Sequence, residues 1–147
     1  MKFRTLCLAA AALGALPAAA FAGAAAMHPE LGAKLTGKHE VPNGSPVGHG
    51  IVNLNLKAAS GKVCWTFKIV GLPKPQVAHI HRAPAGKAGP IVVPLGGRYK
   101  AKGCTSAAKK TIEAIESHPN AYYANVHTAK YPNGAIRGQL VAGMVHM

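Results

Sequence analysis

Ile51-Val52-Asn53-Leu54-Asn55-Leu56, a turn at Ser60-Gly61, and then Val63-Cys64-Trp65-Thr66-Phe67-Lys68-Ile69 form the stretch that decides the fold. Side chains of an extended chain alternate between two faces. Val52, Leu54 and Leu56 therefore share one face, with Ile51, Asn53 and Asn55 on the other. Val63, Trp65, Phe67 and Ile69 repeat the pattern and carry the only Trp, which predicts a central core strand.

Working outward, alternation starts at Ala33-Lys34-Leu35-Thr36 and runs towards Val41, where Pro42-Asn43-Gly44-Ser45-Pro46 supplies dense turn chemistry. Downstream, Leu72-Pro73-Lys74-Pro75 breaks the core strand and Val77 to His81 is short and extended. Arg82 to Pro90, with Pro84, Gly86 and Gly89, is a loop able to approach a site closely, and Ile91-Val92-Val93 resumes the strand pattern. Ser106 is placed to cap a helix over Ala107–Ser117, with Ala108, Ile112 and Ile115 on one stripe and Pro119 at its end. Ala121–Thr128 and Ala135–Ala142 flank Tyr131-Pro132-Asn133-Gly134, a hairpin signal. Many short strands and one short helix predict an all-β chain, a small antiparallel sandwich or barrel with Greek-key connections.

Residues 1–22 read as a secretory signal. Lys2 and Arg4 head an apolar, Ala-rich run that is broken at Pro17 and followed by Ala20-Phe21-Ala22. Residues 23–32 read as a flexible arm, 33–142 as one domain and 143–147 as a tail. The chain is thus expected to be secreted or periplasmic, with no transmembrane segment in its mature part. In that oxidising setting Cys64 and Cys104 are expected to form one disulfide, clipping the predicted helix to the sheet.

The formal charge is +13, of which Lys2 and Arg4 leave with the signal. Such a balance favours an anionic envelope polymer or protein as partner. The lysines are scattered with few interleaved aromatics, which argues against nucleic acid. Asp is absent, and the four carboxylates are Glu30, Glu40, Glu113 and Glu116. Paired-carboxylate catalysis, Ser-His-Asp triads and oxygen-rich calcium sites therefore have little to work with. The first reading is a non-catalytic binding module.

The alternative is a copper or zinc protein. Ala78-His79-Ile80-His81 puts both imidazoles on one side of a strand, and Asn125-Val126-His127-Thr128 supplies a third. Binding there would stabilise the fold and release protons. His39 and His49, flanking the turn at 42–46, are candidates for a further ligand. Arg137, near His127, would keep that imidazole neutral. Met27-His28 and Met144-Val145-His146-Met147 are softer sets at the two ends. Copper–zinc superoxide dismutase chemistry is disfavoured, because its zinc site needs an Asp. Structural readings also stand: His79 and His81 would then hold up the fold, each imidazole bridging its strand to a neighbouring loop by hydrogen bonding. Glu40 would pair with a lysine, and Arg137 and Gln139 would brace the final hairpin.

The motifs resemble the chordin-type, or CHRD, domain. The likeness runs through Leu35-Thr36-Gly37-Lys38-His39-Glu40-Val41-Pro42, Ala78 to His81, Gly86 to Leu95, Asn125 to Thr128, and Pro132 to Leu140. It implies an extracellular or envelope β-domain and no particular reaction. The family pattern has Glu where this chain has Ala135, so any pairing of that carboxylate with Arg137 is missing here.

Overall fold

The structure is a computed structural model and describes residues 30–147. The expected signal and residues 23–29 of the expected arm lie outside the described residues. The elements are β1 (Glu30–Thr36), β2 (His49–Lys57), β3 (Lys62–Val70), β4 (Val77–Arg82), β5 (Ile91–Pro94), β6 (Lys102–Ser106), α1 (Lys109–Ser117), β7 (Tyr122–His127), β8 (Ile136–Gln139) and β9 (Val141–Ala142). Residues 30–32 thus open β1 instead of belonging to an arm, because Leu31 is buried in the core.

The strands run in the order β5-β4-β7-β8-β1-β2-β3-β6, every pair antiparallel, with β9 beside β1. The chain crosses between the two halves of this sheet from β3 to β4, from β5 to β6, and through α1 to β7. Residues 95–101 bring the halves nearly into a closed barrel. Leu95 N–H donates to Ala78 O (2.9 Å), Tyr99 N–H to Gln76 O (2.6 Å), and Phe67 N–H to Ala101 O (2.7 Å). Trp65 Nε1–H adds a bond to Lys100 O at 2.8 Å.

The period-two reading holds on both sides. Val52, Leu54, Leu56, Val63, Trp65 and Phe67 face Ala78, Ile80, Tyr122, Ala124, Val126, Ile136 and Leu140 across one core. Each fully buried Leu or Ile contributes about 1.5–3 kcal/mol. Ile112 and Ile115 of α1 close one end of it.

Two expectations change. β6 extends through Ser106, so the helix starts later, with Ala108 rather than Ser106 at its N-cap and no side-chain cap. Cys104 therefore lies in β6 directly opposite Cys64 of β3, and the expected disulfide forms. It clips edge strand to sheet and not helix to sheet. The tail is also tied down. Val145 N–H donates to Asn53 Oδ1 (2.8 Å), and Asn53 Nδ2 donates to Val145 O (3.0 Å).

Candidate metal centre

Because Ala78 and Ile80 face the core, His79 and His81 must stand on the outer face of β4. The register pairs Val77 with His127, His79 with Asn125, and His81 with Tyr123, so β7 adds Tyr123, Asn125 and His127 to that face. On β8, Arg137 lies opposite Asn125 and Gln139 opposite Tyr123. The result is a polar layer outside the barrel. It is covered by the 83–90 loop and the segment after β1, so Glu40, His81, Asn125 and Arg137 are all buried.

The histidine rings of residues 79, 81 and 127 converge. One nitrogen from each lies within 4.8 Å of the others. Donors sharing an ion with bonds of about 2.0–2.1 Å lie about 3.3–4.1 Å apart, so closing the triad takes rotations of roughly an ångström. His79 Nδ1 and His127 Nε2 already stand 3.1 Å apart.

Two carbonyls set the tautomers. His81 Nδ1 lies 2.8 Å from Gly89 O, and His127 Nδ1 lies 2.9 Å from Pro132 O. A carbonyl only accepts, so each Nδ1 carries the proton and each Nε2 presents a lone pair. His127 Nε2 accepts from His79 Nδ1–H. His81 Nε2 is buried with no partner, and so is Asn125 Oδ1 beside it. Buried acceptors without donors are costly, and a cation satisfies them.

All three rings are held neutral. Burial, then the neighbouring His127 and His81, pull His79 from 6.5 down to about 4. Burial lowers His81, against the raising effect of the Gly89 carbonyl and of the Asn125 side chain, with further lowering from His127 and Arg137. Burial also lowers His127, against the Pro132 carbonyl. The Arg137 cation thus acts on His81, not on His127 as the hairpin reading expected. Neutral rings have no proton to give up at pH 7, so the expected proton release does not follow.

The other candidates sit elsewhere. His39 contributes its backbone carbonyl to Arg137 Nε (2.6 Å), and His49 Nδ1 bonds to Val47 O at 3.0 Å. Neither joins the triad among the described residues. Glu40 meets Arg137 (Nε–Oε2 3.2 Å), not a lysine. Gly134 permits this, since a Cβ there would strike the Glu40 carboxylate. Burial raises Glu40 from 4.5 to about 7, against the lowering effect of Arg137 and a bond from the Val41 backbone.

Arg137 and Gln139 brace more than the hairpin. Arg137 Nη1 donates to Lys87 O (2.8 Å), and Gln139 Nε2 donates to Ala83 O (2.7 Å) and Asn120 O (2.8 Å). They pin the loop whose Gly89 carbonyl orients His81. Sequence reading missed Gly89, Pro132 and Tyr123 as site residues. Tyr123 stacks on His81 with centroids 4.8 Å apart, and the Arg137 guanidinium lies 4.6 Å from the Tyr123 ring. Backbone carbonyls carry no residue-type signature, so only the Gly-Pro content of the loop hinted at its approach.

Fold and polar face together define a small antiparallel β-barrel domain with a partly buried polar layer on its outer face. A family model described as the CHRD domain matches residues 31–140, and the chain belongs to that family. The resemblance read from the motifs is thereby borne out, with limits close to the expected 33–142. No curated protein and no solved structure matches the chain. Among the described residues no helix is long and apolar enough to cross a membrane.

Proposed function

We propose that this is an exported, non-catalytic binding domain whose outer-face centre holds a transition-metal ion through His79, His81 and His127. The observation that carries the reading is His81 Nε2. It is a buried lone pair with no donor, aimed by the Gly89 carbonyl, in a triad whose nitrogens lie within 4.8 Å. All-imidazole ligation suits copper or zinc. The Cys64–Cys104 disulfide supports export.

Untagged protein loaded with copper or zinc, desalted and subjected to elemental analysis, should carry one ion per chain. A His79→Ala/His81→Ala variant should carry none. At free metal near 100 times Kd, binding adds about 2.7 kcal/mol of stability. Equal, near-zero content in both proteins after loading would refute the reading.

A second reading rests on charge. A groove of about 680 Å³ is lined by Lys34, Lys38, His39, Gln139 and Arg137, and its one carboxylate, Glu40, is spent on Arg137. This supports contact with an anionic envelope polymer at the groove. Retention on a heparin column that falls with salt, and falls further in Lys34→Glu/Lys38→Glu, is the expected result. No retention at low ionic strength would remove it.

A further inference from the structure

We infer that the three-histidine centre selects copper in its +1 state over Cu(II) and Zn(II). This inference rests on the metal-binding reading above, and three features of the site lead to it.

The first is donor number. Among the described residues no fourth His, Cys, Asp or Glu joins the triad, and the Asn125 amide that interacts with His81 is uncharged, a hard and weak donor. Zn(II) in a structural site takes four protein ligands, and Cu(II) prefers a tetragonal set. Three imidazoles on one wall of a sheet offer neither. Cu(I) is satisfied by three nitrogens, whereas Zn(II), although equally closed-shell, needs a fourth ligand brought in from solvent.

The second is charge. Every donor is neutral, so the bound ion keeps its full charge in a layer where His81 is buried and His79 and His127 are half-buried. The cost of burying an ion rises with the square of its charge, so a divalent ion pays roughly four times as much as a monovalent one. A carboxylate ligand would offset this, but Glu40 is engaged with Arg137. Glu30 lies at the start of β1, and Glu113 lies on α1 in a pair with Lys109.

The third is the neighbouring cation. Arg137 is 3 % exposed, and its guanidinium packs on the Tyr123 ring whose plane stacks on His81. A fixed positive charge one ring away from a ligand penalises each additional charge on the ion. The carbonyls of Gly89 and Pro132 orient lone pairs without adding charge.

The test is a set of three competition titrations at pH 8. Cu(I) is supplied anaerobically as its acetonitrile complex against bathocuproine disulfonate. Cu(II) and Zn(II) are each titrated against nitrilotriacetate. Cu(I) should bind at least tenfold more tightly than either divalent ion, and one equivalent of protein should raise the copper reduction potential above that of the aquated couple. Glu40→Gln, which leaves Arg137 without its counter-charge, should widen the Cu(I) preference. Equal or tighter Cu(II) or Zn(II) binding overturns the inference while leaving a metal centre standing. Failure of all three ions to bind overturns the metal reading itself. A preference that narrows in Glu40→Gln refutes the part given to Arg137, and if that variant does not fold, the wild-type ratio still decides.

Discussion

Gly89→Ala probes the centre without touching a ligand. An added Cβ would fall on the Arg82 carbonyl, well inside van der Waals contact, and 2.8 Å from the Ala83 Cβ. Both neighbours are held. Arg82 pairs with Tyr122 in the sheet, and Ala83 O accepts from Gln139. The loop must therefore retreat by roughly an ångström, which stretches the 2.8 Å bond from His81 Nδ1 to the Gly89 carbonyl beyond hydrogen-bond range. Freed of that carbonyl, His81 is no longer fixed in tautomer or ring angle. Loss of such an outer partner typically costs 10–100-fold in metal affinity, or about 1.4–2.7 kcal/mol. The steric clash adds about 1–3 kcal/mol of destabilisation. Competition titration with copper on Gly89→Ala, with Gly97→Ala as control, measures the effect, since a Cβ at Gly97 meets nothing within 4 Å. A folded Gly89→Ala protein that binds copper within twofold of wild type would refute the argument that the loop carbonyl organises the site.

Cys64→Ser frees edge strand β6 and opens a link spanning 40 residues. The expected loss is about 4 kcal/mol, a drop of roughly 10–20 °C in Tm by calorimetry, with copper stoichiometry unchanged. Intact mass under non-reducing conditions should be two hydrogens below that of the reduced wild-type chain, and two free thiols would remove the clip. The pH profile of the metal-free protein sets the three lowered histidines against the raised Glu40. His79 is lowered to about 4, so its share of stability is lost as pH falls from 6.5 towards 4, about 1–2 kcal/mol after allowing for solvent screening at this half-buried ring. Glu40 is raised to about 7, so its share is lost as pH rises from 4.5 through 7, by up to about 3 kcal/mol. Relative to wild type, denaturant unfolding between pH 4.5 and 7 should therefore tilt down with rising pH in His79→Ala and up in Glu40→Gln, and profiles parallel to wild type in both would contradict both assignments.

Local pattern carried much of this molecule. Alternation at Val52–Leu56 and Val63–Ile69 named the core faces, because period two is a property of one extended strand and needs no partner. The same rule placed His79 and His81 together opposite Ala78 and Ile80. Family motifs then tied His127 to that pair over an interval that spacing alone does not bridge.

Other features were decided only by the pairing of distant strands. The extent of β6, and with it the partner element of the disulfide, depended on Cys104 meeting Cys64 across a ladder, which outweighed Ser106 as a helix cap. Glu40 reads as one more surface acid until the segment after β1 folds over β8 and buries it against Arg137. The aim of His81 is set by a backbone carbonyl at Gly89, and every residue has such a carbonyl, so its type says nothing of its role. The sequence by itself determined which residues turn inward and which histidines share a face. Tertiary structure alone decided which buried charges meet and which lone pairs are left open. The reason is physical: face alternation is set by covalent geometry within a few residues, whereas partners in a buried polar layer are chosen by packing between segments up to a hundred residues apart.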